Sequence, residues 1–380
     1  MKIVSVVGAR PNFMKVAPLC RALTAYPQVR HVLVHTGQHY DVRMSEQFFE
    51  ALDIPRPDIN LEIGSGSHAE QVGKTMMAFE KVVRAERPDW VVVLGDVNAT
   101  IACSITAKKE HVKCAHVEAG LRSRDMDMPE EVNRLVTDRL SDLLLTPDRL
   151  SAANLKAEGV PDEKVRFVGN IMIDTLERER PKAEALDLNR VVAANLIDEL
   201  AGRTHPALAD GGFIAMTMHR PSNVDAEEVL APVVDFVLRE VASEHPLVWA
   251  VHPRAQKQLK AFGLWEAVVS HPHVILVKPV GYHAMLRLNM GAKLFMTDSG
   301  GLQEECCVLG TPCLTMRWNT ERPVTLAENG GASRLVGNDV DRMRAAYHAA
   351  LSSARRPSRP ELWDGHAAER IAAALVHQGR

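Results

Sequence analysis

Seven polar groups hold the residue types that proton transfer and phosphate binding require, and each follows a short β-branched run. They are Gly8-Ala-Arg10-Pro, Gly37-Gln38-His39, Gly95-Asp96, Glu118-Ala-Gly120, His219-Arg220, His252-Pro-Arg254 and Asp298-Ser-Gly-Gly301. Asp96, Glu118 and Glu130, expected near one another and near His219, form a set able to move protons on two sides of a substrate. Burial and mutual repulsion of these carboxylates would raise one or more of their pKa values toward the operating pH. Glu131 rivals Glu130, because helix neighbours point about 100° apart and only one can face a site.

Ser299-Gly300-Gly301, at a strand-to-helix turn, exposes unpaired backbone amides with little side chain in the way, which suits a diphosphate. Glu304 or Glu305, in the first turns of that helix, could accept ribose hydroxyls; the plainer role of such acids is to complement the helix dipole. Arg10 and Lys15 could add positive charge from the opposing domain, although Lys15 alone reads as a solvated helix residue. Two other patterns fall short. Gly73-Lys74-Thr75 lacks the glycine five positions upstream that a phosphate loop needs and falls within a helical pattern. His116-x-Glu118 has no third ligand at metal spacing, so it reads as a polar cluster and no metal is expected.

The elements that must position these groups alternate. Apolar, β-branched runs at 3–7, 31–36, 90–94, 113–117, 143–146 and 165–168 are separated by segments of helical period. Trp90-Val-Val-Val-Leu94 is continuous in the manner of a strand buried on both faces, and Ala69, Val72, Met76, Phe79, Val82 and Val83 keep one helical face. From about 178 to 212 the strands give way to a polar, Ala-rich stretch, and then resume at 213–218, 247–251, 274–277, 293–297 and 312–315, with helices over 224–243 and 301–309 between them. The expected fold is α/β: two doubly wound Rossmann-like domains facing a cleft, residues 1–177 and 178–360, with a C-terminal helix in 361–380 packing back on the first. In such sheets ligands gather at the carboxyl ends of the strands, where all seven groups stand. Any one of them would pass for a solvated turn; together they describe an active site.

Composition closes off other classes. The chain has 380 residues with 45 Lys+Arg against 48 Asp+Glu, a net charge of −3, so no nucleic-acid partner is implied. Eighteen consecutive apolar residues never occur, so no transmembrane helix is expected, and the N-terminal run reads as a strand and not a signal. Six cysteines without a Cys-x-x-Cys pair read as buried thiols of a reducing, cytoplasmic compartment.

Several longer motifs run in order from residue 1 to about 337: Gly8-Ala-Arg-Pro-Asn-Phe-Met-Lys-Val-Ala-Pro18, His35-Thr-Gly-Gln-His39, Gly95-Asp96, His116-Val-Glu-Ala-Gly-Leu-Arg122, Pro129-Glu-Glu-Val-Asn-Arg134, Gly169-Asn170, His219-Arg220, Thr297-Asp-Ser-Gly-Gly-Leu-Gln-Glu-Glu305 and Thr320-Glu-Arg-Pro323. They closely resemble the non-hydrolysing UDP-N-acetylglucosamine 2-epimerases. The resemblance implies a glycosyltransferase-B-like fold, a homodimer, and interconversion of UDP-GlcNAc and UDP-ManNAc by elimination of UDP to 2-acetamidoglucal and readdition, without NAD or metal, for surface polysaccharide synthesis. Carried across by motif, Asp96, Glu118 and Glu130 are the acid/base residues, and His219, Arg10 and Lys15 assist departure of the diphosphate. Ser299, Gly300, Gly301, Glu305 and Arg322 contact UDP, and Arg134 lies near the pyrophosphate or the carboxylates. Gln38 and His39 match part of an allosteric UDP-GlcNAc site.

Three departures from the family pattern bear on substrate and regulation. Ser222 stands where many members have Glu, Asn12 stands where many have Glu, and the loop Gly64-Ser-Gly-Ser-His68-Ala-Glu-Gln71 lacks the Arg-Gln pair of the allosteric site. A further modified UDP-sugar of the diacetamido uronic acid type, a hydrolysing epimerase, a glycosyltransferase and a non-catalytic UDP-sugar-binding regulator remain as alternatives.

Overall fold

The computed structural model describes residues 1–37 and 49–378; the side chain of Arg10 and the pair Gln38 and His39 lie outside the described residues. The chain divides into two compact units, Met1–Arg178 with Pro360–Arg380, and Glu179–Arg359.

The first unit holds a parallel sheet of β1 (Lys2–Val7), β2 (Arg30–His35), β3 (Ile59–Asn60), β4 (Trp90–Leu94), β5 (Lys113–Val117), β6 (Leu143–Thr146) and β7 (Val165–Phe167), in the order β3-β2-β1-β4-β5-β6-β7. β4 is buried along its whole length, as a strand covered by helices on both faces must be. Valines of β1, β2 and β4 pack with Phe79, Val82 and Val83 of the helix His68–Glu86, which begins at a Ser67/Glu70 capping box. Gly73-Lys74-Thr75 lies inside that helix, so it cradles no phosphate. The C-terminal helix Ala367–Gln378 packs on the helix Arg10–Leu23.

The second unit repeats the plan with β8 (Ile214–Thr217), β9 (Leu247–Ala250), β10 (Val274–Val277), β11 (Leu294–Thr297), β12 (Cys313–Thr315) and β13 (Ser333–Leu335), in the order β10-β9-β8-β11-β12-β13. In each sheet the order reverses beside its first strand, between β1 and β4 and between β8 and β11. A crevice opens at the carboxyl ends of the strands at such a point. Both units are thus Rossmann-like.

The helix expected over 224–243 is corrected. It is broken into Pro221–Val224, Glu227–Phe236, a π turn Val237–Val241 and Ala242–Glu244, with Ala226 in extended backbone. Asn223 and Asp225 commit their side chains to Asp298 and Arg254, which draws the first turn off the helix axis. β3 and β13 carry no sequence pattern because they have two and three residues and exist by pairing at a sheet edge. All six cysteines are buried. Among the described residues no helix is long and apolar enough to cross a membrane.

Candidate active site

At the β1/β4 switch point of the first unit, the turn after β1 is fastened by Asn12, which is buried. Its Oδ1 accepts from the Gly8 and Ala9 amides at 3.0 and 3.1 Å, and its Nδ2 donates to the Leu94 carbonyl at 2.8 Å. The departure at this position therefore ties the start of the helix Arg10–Leu23 to the end of β4. One turn on, buried Lys15 forms an ion pair with Glu118. Gly95 makes room for it: its φ is +66°, and a Cβ there would lie 2.7 Å from the Lys15 Nζ and 3.4 Å from Glu118 Oε2. Glu118 itself sits at φ +71°, a left-handed conformation that costs a side-chain-bearing residue roughly 1–3 kcal/mol and is kept where the surroundings enforce it. Its Oε1 is buried without a hydrogen-bond partner among the described residues.

The residue after Gly95, Asp96, meets the helix Pro129–Leu140 through Arg134. Arg134 donates to Asp96 Oδ2 through Nε and Nη2 at 3.0 and 2.6 Å, and to Glu131 Oε2 through Nη1 at 2.6 Å. Arg134, with a side chain 2% exposed, thus stands against two carboxylates. Glu131 is fixed as well. Its oxygens accept from the amides of Ser123 and Arg124 and from the Ser123 hydroxyl. Burial would raise its carboxyl, but these amides and Arg134 hold it below the usual range. Glu130, half-buried one position earlier, has no hydrogen-bond or ion-pair partner among the described residues. Two of the acids expected to meet, Glu118 and Asp96, are each paired with a cation, Lys15 and Arg134 respectively.

His116 and Glu118, expected on one strand face, have different partners. His116 meets the Gly95 carbonyl through Nε2 at 2.8 Å and Asp138 through Nδ1 at 2.6 Å. Burial would raise the Asp138 carboxyl, but His116 and Arg122 keep it low. Asp138 also accepts from the Gly120 amide at 3.0 Å, so it fastens the turn that follows Glu118.

The second unit presents the other set of residues. His219 follows β8 and its Nδ1 lies 2.7 Å from Asp298 Oδ1, at the end of β11. The other Asp298 oxygen accepts from the amides of His219 and Arg220 and from Asn223 Nδ2. Burial alone would raise this carboxyl; His219 and the two amides hold it at about 2. An anion so fixed orients the imidazole, whose side chain is 41% exposed. Asp298 stood in the sequence motif without a role; an acid ending the strand next to a switch-point histidine was the available signal.

Ser299 precedes the helix Gly300–Leu309 in extended backbone and its side chain does not cap the helix, so the first-turn amides remain open to an anion. Buried Arg322 donates from Nε to Glu304 Oε1 at 2.7 Å and pairs with Glu321 through Nη1. A Cβ on Gly300 would stand 2.6 Å from that Nη1 and 2.8 Å from Glu321 Oε1, so glycine is what lets the guanidinium approach the helix start. Gly301 continues the same small surface. Glu304 is thus taken by Arg322. Glu305 is buried beside Tyr282 and Asn289, and burial, reinforced by Glu304, pushes its carboxyl up to about 7.

Parallel sheets with polar clusters at both switch points and a bare helix N-terminus define a class: Rossmann-like α/β enzymes that bind nucleotides. Within that class the chain belongs to the UDP-N-acetylglucosamine 2-epimerase family, whose model matches residues 21–376. It is 38% identical over 378 residues to the UDP-N-acetylglucosamine 2-epimerase of Methanocaldococcus jannaschii, with 99% of each chain covered. It is 36% identical over 380 residues to the UDP-2,3-diacetamido-2,3-dideoxy-D-glucuronate 2-epimerase of Pseudomonas aeruginosa, again over 99% of each. A crystal structure of the M. jannaschii enzyme in complex with UDP-GlcNAc and UDP matches with a TM-score of 0.89 over 99% of this chain and 100% of that one. Family membership places the chain among isomerases.

Proposed function

We propose that the protein inverts C2 of UDP-GlcNAc, giving UDP-ManNAc, and runs the reverse reaction. The amides at Gly300 and Gly301 take the diphosphate beside the Ser299 hydroxyl, Arg322 adds charge there, and Glu305 accepts from the ribose. His219, steadied by Asp298, offsets charge on the departing UDP together with Lys15 and Arg10. Asp96, Glu118 and Glu130 exchange the proton.

A C2–H beside an acetamido group is not acidic, so its loss must be coupled to departure of the diphosphate. A carboxylate takes the C2 proton, the C2–H pair becomes the C1–C2 π bond of 2-acetamidoglucal, and the C1–O pair leaves with UDP. In return, a UDP oxygen rebinds C1 and an acid delivers a proton to the other face of C2. Electrons balance without an oxidant. The activated ManNAc donor that results suits transfer into a surface polysaccharide.

The observation that supports this reading most is the network at the β1/β4 switch point, where Glu118 is held in a strained turn against Lys15. Binding alone needs neither the strain nor the buried charge. A second reading, a diacetamido uronic acid as the sugar, draws on the P. aeruginosa relative and on uncharged, exposed Ser222 after His219. Purified protein is incubated with each UDP-sugar in turn and the nucleotide sugars are separated. Conversion of UDP-GlcNAc to an equilibrium mixture supports the first reading; conversion of the uronic acid alone replaces it with the second.

A further inference from the structure

Pro18 stands inside the helix Arg10–Leu23. A proline has no N–H for the carbonyl four residues back, which here belongs to Met14. That carbonyl shares its planar peptide unit with the nitrogen and Cα of Lys15, so what steadies the carbonyl steadies the backbone from which the Lys15 side chain leaves the helix. Helix geometry alone leaves this carbonyl unbonded, four residues from the proline and beside the residue that pairs with Glu118.

The missing bond comes from another element. Thr175, fully buried on the helix Ile171–Glu184, donates its hydroxyl to the Met14 carbonyl at 2.5 Å. Its neighbour Asp174 holds that helix in place by accepting from the amides of Ala367 and Ala368 at 3.0 and 2.7 Å, at the start of the helix that packs on Arg10–Leu23. The donor is therefore mounted on a support gripped by both helices. We propose that Thr175 is a positioning residue for the Lys15–Glu118 pair, replacing the helix hydrogen bond that Pro18 removes. The proposal rests on the reading of that pair as part of the active site.

Three variants test it: Thr175→Val, which keeps the shape and loses the hydroxyl; Thr175→Ser, which keeps the hydroxyl; and Thr175→Val combined with Pro18→Ala, which restores an N–H for Met14. Turnover of UDP-GlcNAc, its KM and UDP affinity are measured for each. Thr175→Val is expected to lower kcat about tenfold, in the range a small misplacement of a reacting group costs. KM and UDP affinity stay unchanged, Thr175→Ser matches the parent, and the double variant regains the lost kcat. A Thr175→Val protein with parental kcat overturns the proposal, as does a loss that Pro18→Ala does not repair. Should Thr175→Val alone fail to fold, Thr175→Ala is measured in its place: a lowered kcat supports the proposal and a parental kcat overturns it. Lys15→Ala separates the two readings: if it keeps full turnover, the active-site assignment fails, whereas if it is inactive and Thr175→Val is not impaired, only the positioning role fails.

Discussion

Glu130 and Glu131 differ by one position and by everything around them. Glu131 is 2% exposed, bonded to two amides and a hydroxyl, and shares Arg134 with Asp96. Removing one partner of a buried pair strands the other, at about 3–5 kcal/mol. Glu131→Gln is accordingly expected to cost about 3 kcal/mol in urea unfolding, while Glu130→Gln leaves stability within about 0.5 kcal/mol and lowers turnover by about 10²–10⁴. A stable Glu131→Gln protein that has lost turnover, beside an active Glu130→Gln one, would reverse the roles. Sequence showed that only one of the pair could face a site, since two adjacent helix positions diverge. Which one is tethered depends on Ser123, Arg124 and Arg134, and contacts made by a loop and by a side chain one turn on leave no periodic signature.

At the scale of elements, strand ends position the chemistry and glycines set how closely it can approach. Gly300 opens the helix Gly300–Leu309 with Arg322 packed against its Cα, and Arg322 is locked by Glu304 and Glu321. Gly300→Ala is expected to displace the guanidinium and weaken UDP binding about tenfold or more, the loss of one charge-assisted hydrogen bond. Calorimetric titration with UDP checks this, with circular dichroism showing the fold intact; unchanged affinity would remove Arg322 from the nucleotide site. The strands that place these groups were legible because long runs such as Trp90–Leu94 have no other stable home. Strand β13 was not, being short, mixed in burial and dependent on its pairing with β12. The break after Val224 was equally hidden, since it arises from Asp298 and Arg254, distant in sequence.

For the molecule as a whole, the buried acids set how stability follows pH. Glu305 is held at about 7 against 4.5 unperturbed, so the folded state binds its proton more tightly than the unfolded chain does. Stability from this group is fully present below about pH 4.5, declines as pH rises, and is lost above about 7, a difference of about 3 kcal/mol. Asp298, at about 2 against 3.8, works in the opposite sense: its contribution is present above about pH 4 and lost as pH falls through 2. Glu305→Gln is expected to gain as much as about 3 kcal/mol over the parent at pH 8.5 and nothing at pH 4, while weakening UDP binding. A gain independent of pH would show that the carboxylate is not the source. That acids and cations would gather at the strand ends was visible in the order of motifs. That Lys15 would pair with Glu118, and Arg134 with Asp96 and Glu131, was not, because residue types along a chain do not reveal which charges are paired.

The claim that most needs a direct answer is that the protein moves the C2 proton of a UDP-sugar. Proton NMR of the purified protein with UDP-GlcNAc in D₂O follows the C2 proton and the anomeric signals together. The expected result is loss of the C2–H signal as deuterium enters, with the anomeric signal of UDP-ManNAc growing and no net release of free sugar. Accumulation of free ManNAc and UDP, or retention of the C2 proton in a bound substrate, would contradict it.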